Sequence, residues 1–238
     1  MLTPHHRSTL TGFIIDSEEG VITGNADIRY CKVTFDIKAY SDAAFAQYGR
    51  AFPAHLSRAV AKRKAEYLAG RFCCARALAP FSITQEVTKN SDRSPCWPRG
   101  MSGTISHGDN QAVALVTRQP GVSPGIDIES FNPAVLREIA DSIVTPAEAA
   151  LLASLPIDTD VALLLAFSAK ESLFKALYPS VQVFFGFDYA RVESIDEQEQ
   201  RFVLRLTQDI NARYRQEMTF DGRYLFDGKH IVTLIVAT

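Results

Sequence analysis

Along residues 57 to 78 the apolar positions Val60, Tyr67, Leu68, Phe72, Ala75 and Leu78 recur at helical spacing, which predicts a long helix ended by Ala79-Pro80. Before it, residues 10 to 38 carry strand-like pieces: the Phe13-Ile14-Ile15 run and the alternation Tyr30-Cys31-Lys32-Val33-Thr34-Phe35. After it comes a loop rich in Asn, Ser, Asp, Pro and Gly from Asn90 to Gly103, then a buried strand at Ala112 to Val116. Helices are predicted from Pro133 to Val144, Pro146 to Leu155 and Asp160 to Leu177. Pro133 and Pro146 suit first turns, where a missing N–H does no harm. The tail reads as strands, Tyr189 to Ile195 and Arg201 to Leu206 flanking a polar turn, with Asp221-Gly222 and Asp227-Gly228 punctuating those that follow. Arg118 to Gly125 holds two prolines and two glycines in eight residues and is the best subdomain boundary, giving halves 1–121 and 122–238. Each half combines a long helix with a small, largely antiparallel sheet, an α+β organisation.

The chain has 238 residues, a formal net charge of -2 and a hydrophobic share of 47%. It is neither poor enough in apolar residues for disorder nor basic enough for a general nucleic-acid binder, so any anionic ligand must be held by local Arg and Lys clusters. No stretch approaches the ~18 apolar residues of a membrane span, and no signal peptide is visible, so a cytoplasmic location is expected. The four cysteines form no CxxC pair and read as small buried apolar residues.

Two segments concentrate candidate chemistry. Gly125-Ile126-Asp127-Ile128-Glu129 reads as a strand with both acids on one face, and Phe167-Ser168-Ala169-Lys170-Glu171-Ser172-Leu173-Phe174-Lys175 as helix, with Glu171 beside Lys175. If the two faces meet, three hard oxygen donors can hold a divalent ion, leaving the rest of its shell for water and phosphate. Each segment alone also fits a plain solvated strand or helix face. Arg63 and Arg71 lie about two turns apart on the first long helix, close enough to flank one phosphate. No P-loop or dinucleotide-binding glycine pattern occurs, and Ser106 misses the G-x-S-x-G hydrolase elbow by one position.

Three further segments precede the acidic pair: Arg63-Lys64-Ala65-Glu66-Tyr67-Leu68-Ala69-Gly70-Arg71, Arg93-Ser94-Pro95-Cys96-Trp97-Pro98-Arg99-Gly100 and Gly103-Thr104-Ile105-Ser106-His107. In this order and spacing, from about Arg58 to about Phe187, the chain closely resembles the large, monomeric type of 4'-phosphopantetheinyl transferase, in the branch serving siderophore (enterobactin) and peptide synthetases. The resemblance implies two similar α/β halves related by a pseudo-twofold, with coenzyme A in the cleft between them. The implied reaction moves the 4'-phosphopantetheine arm onto a serine of an apo carrier protein and releases adenosine 3',5'-bisphosphate. Asp127, Glu129 and Glu171 are implied ligands of Mg2+. Glu171 is also the implied acceptor of the serine proton, directly or through a water, and Lys175 stabilises the transferring or leaving phosphate. Arg63, Arg71, Arg93, Ser106, His107 and Lys170 are implied contacts of coenzyme A. The position of Arg93 is taken as that of the lysine in the family's glycine-lysine-proline turn. Two other classes share these residues: another metal-dependent phosphotransferase or pyrophosphate hydrolase acting on coenzyme A, and a non-catalytic coenzyme A-binding module.

Overall fold

The structure, a computed structural model, describes residues 1–238 and divides into two compact units, Leu2–Pro120 and Gly121–Thr238. The first contains β1 (Leu2–Thr9), β2 (Ile14–Ile22), β3 (Asn25–Phe35), α1 (Ala44–Gln47), α2 (Ala61–Leu78), β4 (Thr88–Lys89), β5 (Pro95–Cys96), β6 (Ser102–Gly108) and β7 (Gln111–Thr117). Its main sheet runs β1-β2-β3-β7-β6, antiparallel throughout, while β4 and β5 form a separate ribbon. Helix α2 lies across β7, β3 and β6. The core between them includes Phe35, Phe45, Leu68, Ala69, Cys73, Leu78, Ala114 and Val116. Cys31, Cys73 and Cys74 are buried there, and burial pushes the Cys74 thiol up to about 12, against any reactive thiolate.

The second unit contains β8 (Ser123–Ser130), α3 (Pro133–Ile143), α4 (Pro146–Ser154), α5 (Thr159–Val181), β9 (Ala190–Asp196), β10 (Arg201–Leu206), β11 (Thr219–Phe226) and β12 (His230–Ala237). Its sheet runs β8-β12-β11-β10-β9, again antiparallel. Helix α5 packs on β8 and β12, with α3 and α4 against it. All three helices begin on a side-chain cap: Asn132 accepts from the Val135 N–H, Thr145 from that of Glu148, and Asp158 from those of Asp160 and Val161. The core gathers Leu164, Leu165, Leu173, Leu177, Phe202, Leu204, Tyr224 and Ile231. No helix of either unit is long and apolar enough to cross a membrane.

The predicted α+β class is the observed one, and the differences are local. Strand β1 was not expected, because six of its eight residues are exposed and no alternation marks them. The first long helix starts at Ala61 rather than Ser57, behind a short 3-10 turn at Ala54–Leu56. Helix α5 runs four residues past Leu177 and through Pro179, ending on Gln182 in the left-handed region. Asp227-Gly228 turns between β11 and β12 as expected, with Gly228 at φ 86°. Asp221-Gly222 instead lies inside β11, because the Phe202 ring fills the space a side chain at Gly222 would need.

Candidate functional site

The acidic group is assembled by close approach of β8 to α5. A Cβ at Gly125 would stand 2.0 Å from the Ser172 carbonyl oxygen and 2.7 Å from the Ala176 nitrogen, so only glycine lets the strand lie directly on the helix backbone. Asp127 and Glu129 follow Gly125 at steps of two and share its face, which brings both acids to the helix that carries Glu171 and Lys175.

Asp127 is 2% exposed, accepts from Lys175 Nζ on Oδ1 at 2.6 Å, and accepts from Ser168 Oγ on Oδ2 at 2.9 Å. Burial raises Glu129 to about 8, the Asp127 and Glu171 charges push in the same direction, and the Lys175 ammonium opposes them. Glu171 is raised first by burial, with Asp127 adding to the rise and Lys175 lowering it. Lys175 pairs with Asp127, and its charge is also felt at Glu129 and Glu171. The donor type and surplus negative charge of the three carboxylates fit a hard divalent cation. As they stand, no three His, Cys, Asp or Glu side chains close into a metal-holding group.

Lys170 takes no part in this group. Neighbouring helix residues are about 100° apart, so Lys170 cannot share the face of Glu171 and Lys175. Its ammonium is buried on the other side of α5, 2.7 Å from Glu148 Oε2 and 2.8 Å from the Ile143 carbonyl oxygen, while Glu148 Oε1 accepts from the Val192 N–H at 2.7 Å. The expected nucleotide contact of Lys170 is replaced by a buried ion pair tying α3, α4, α5 and β9 together.

The first unit carries a cationic group on α2 and its surroundings. Ile105 on β6 packs against Gly70, and His107, two residues on, faces α2 as well. Arg63 Nη1 donates to His107 Nε2 at 2.9 Å, and His107 Nδ1 lies 3.6 Å from Glu66 Oε2. An arginine can only donate, so Nε2 accepts and the ring proton sits on Nδ1, towards Glu66. Arg71 is 7% exposed, lies 4.5 Å over the Tyr67 ring, and donates through Nη2 to the Thr88 carbonyl oxygen. Its buried Nε has no hydrogen-bond partner. His55, on the Tyr67 ring, is shifted down by burial and then by the Lys89, Arg71 and Arg63 charges. Neither His55 nor Lys89 was expected. His55 sits in a short 3-10 turn and Lys89 in a two-residue strand, and neither carries a periodic signal.

Ser106 is 4% exposed, and by strand alternation its side chain points to the face of β6 opposite that of His107. Arg93 is exposed at the tip of the Asn90–Ser94 turn, at φ 74°, a conformation that favours glycine. In an Arg93-Ser94-Pro95 turn it therefore stands at the glycine of the glycine-lysine-proline pattern, and Ser94, not Arg93, occupies the lysine position.

Known protein families match both units. Residues 52–117 match the family model of the 4'-phosphopantetheinyl transferase N-terminal domain, and residues 123–234 that of the 4'-phosphopantetheinyl transferase superfamily. Enterobactin synthase component D of Escherichia coli (strain K12) is 45% identical over 124 residues, 52% of this chain and 59% of the relative, so the chain spans under two thirds of that relative's length. The protein of the same description from Salmonella typhi is 34% identical over 177 residues, covering 74% of this chain and 73% of the relative. A 4'-phosphopantetheinyl transferase of Mycobacterium tuberculosis is 30% identical over 190 residues, covering 76% and 82%. With both long helices, the acidic group and the cationic group inside the matched regions, the chain belongs to the 4'-phosphopantetheinyl transferase superfamily.

Proposed function

We propose that this chain transfers the 4'-phosphopantetheine group of coenzyme A to a serine of an apo carrier protein of siderophore or peptide synthesis, releasing adenosine 3',5'-bisphosphate. The observation that carries the reading is that β8 and α5 bring the Asp127–Lys175 pair together with Glu129 and Glu171, whose carboxyls are both raised by burial and by the Asp127 charge. In this reading those carboxylates hold Mg2+, which when bound neutralises charge on the pyrophosphate bridge as it breaks.

The serine oxygen forms the new bond to the phosphorus that carries pantetheine, the bond from that phosphorus to the bridging oxygen breaks, and the bridging oxygen leaves on adenosine 3',5'-bisphosphate. Glu171, whose carboxyl burial raises above its ordinary range, takes the serine proton, work worth roughly 10²–10⁴-fold for a positioned base. Lys175 supplies positive charge to the phosphate. Arg63, Arg71, Lys89 and His55 hold the 3'-phosphate through their cationic and ring N–H donors. Lys170 keeps α5 in register next to Glu171.

The test is mass spectrometry of an apo carrier protein incubated with coenzyme A and Mg2+. The expected product is a phosphopantetheine adduct on serine that disappears in EDTA. Coenzyme A breakdown that needs no carrier would instead establish a hydrolase, and binding without turnover a non-catalytic module.

A further inference from the structure

Behind Asp127 lies a chain of buried hydroxyls. Thr233 on β12 stands directly opposite Asp127 in the β8–β12 register, so both side chains face α5. Ser168 and Ser172 are one turn apart on α5 and meet them there. Ser168, Ser172 and Thr233 are all 0% exposed, and no solvent competes for their protons. Ser168 Oγ is 2.9 Å from Asp127 Oδ2 and 2.9 Å from Thr233 Oγ1, while Ser172 Oγ is 2.7 Å from Thr233 Oγ1 and 3.0 Å from the Thr233 carbonyl oxygen.

Counting protons gives this chain one direction. An ionised carboxylate only accepts, so Ser168 donates to Asp127. Ser168 has a single proton, so its contact with Thr233 is a donation from Thr233. That commits the only proton of Thr233, and Ser172 therefore donates to Thr233, shared between its Oγ1 and its carbonyl oxygen. The order Ser172 to Thr233 to Ser168 to Asp127 fixes which oxygen of Asp127 is held from behind and leaves Oδ1 on the side of Lys175.

We propose that Thr233, acting through Ser168, is a positioning residue that fixes the Asp127 carboxylate for divalent-cation binding; the inference rests on the metal-binding role proposed above for Asp127. Thr233 is 106 positions from Asp127 and outside every motif segment, which is why its hydroxyl carries no signal in sequence. Groups that orient a metal ligand from behind are worth about 10–100-fold in metal affinity. Thr233→Val keeps the shape and removes the hydroxyl that donates to Ser168, while Ser172, which loses Oγ1 as an acceptor, still donates to the Thr233 carbonyl oxygen.

The experiment is Mn2+ binding followed by electron paramagnetic resonance of the free ion, alongside carrier modification as a function of Mg2+ concentration. Thr233→Val is expected to weaken Mn2+ by about tenfold and to raise the Mg2+ requirement more than it lowers metal-saturated turnover. Thr233→Ser, which restores a hydroxyl but not the methyl, is expected to recover most of the affinity. Should Thr233→Val fail to fold, Ser168→Ala removes the last donor of the same chain and is expected to show the same loss. Wild-type affinity in Thr233→Val, or equal impairment of Thr233→Ser and Thr233→Val, overturns the positioning role. A wild type that leaves Mn2+ unbound overturns it together with the metal site. Weakened Mn2+ binding in a protein that modifies no carrier supports the positioning role and sinks the transferase reading alone.

Discussion

Gly125→Ala is the substitution that best separates the geometry of the acidic group from its chemistry, because it alters no charged residue. The new Cβ would lie 2.0 Å from the Ser172 carbonyl oxygen, against the 3.4 Å at which ordinary contact begins, a shortfall of about 1.4 Å. It would also stand 2.7 Å from the Ala176 nitrogen, so the obstacle is helix backbone rather than a side chain that can swing aside. Strand β8 and helix α5 must separate by an ångström or more. Overpacking of this kind costs about 1–3 kcal/mol. For a chain of this size that lowers Tm by about 2–12 °C, at about 2–4 °C per kcal/mol. The separation also moves Asp127 and Glu129 away from Glu171 and Lys175, and an ångström of misplacement in a catalytic group costs about 100-fold. Thermal melting and carrier modification, the latter assayed well below the variant's Tm, measure the two effects separately. Wild-type melting and wild-type turnover in Gly125→Ala would refute the argument that glycine at this position sets the distance between the acids and the helix.

Three further outcomes are expected. Lys170→Met leaves the Glu148 carboxylate buried without its cation and should cost about 3–5 kcal/mol in denaturant unfolding, while Lys170→Met with Glu148→Gln should regain much of it because glutamine still accepts from Val192; equal instability of the two would show that charge is not the cause. In EDTA, stability should fall as pH rises from about 4.5 to about 8, since native Glu129 holds its proton to higher pH than the unfolded chain does. Glu129→Gln should flatten that slope, and an unchanged slope in urea melts across the window would remove Glu129 as its source. Arg93→Gly should stabilise by about 1 kcal/mol by relieving the left-handed backbone, whatever it does to coenzyme A binding; a lower Tm would show that the Arg93 side chain makes a stabilising contact.

Periodicity made the central parts of both units legible. Strand alternation put Asp127 and Glu129 on one face, and helical spacing put Glu171 beside Lys175, as the structure has them. The same helical geometry already separates Lys170 from Glu171, but a cation inside a motif invited a ligand role, and its partner Glu148 lies 22 residues away on another helix. Asp221-Gly222 has turn composition, yet its glycine answers to the Phe202 ring across the sheet. Arg93 keeps a charge near the expected lysine, but its place two residues before Pro95 and its φ of 74° put it where the pattern has glycine. In each case the deciding contact is remote in sequence or lies in the backbone, where residue type alone does not report it.

The pairing of β8 with β12 sets the order in which function can arise during synthesis. Strand β8 is an edge strand whose one hydrogen-bonded neighbour is β12, so Asp127 emerges from the ribosome about a hundred residues ahead of the strand that secures it. The sheet of the first unit, by contrast, has all its partners between Leu2 and Thr117 and can close while the second is still being made. Closing the long loop from Asp127 to Thr233 is entropically modest per added residue but slow, as non-local strand pairing generally is. A nascent chain can therefore display a finished cationic unit well before it possesses an acidic one, and the acidic group is ordered only after residues beyond Thr233 have been added.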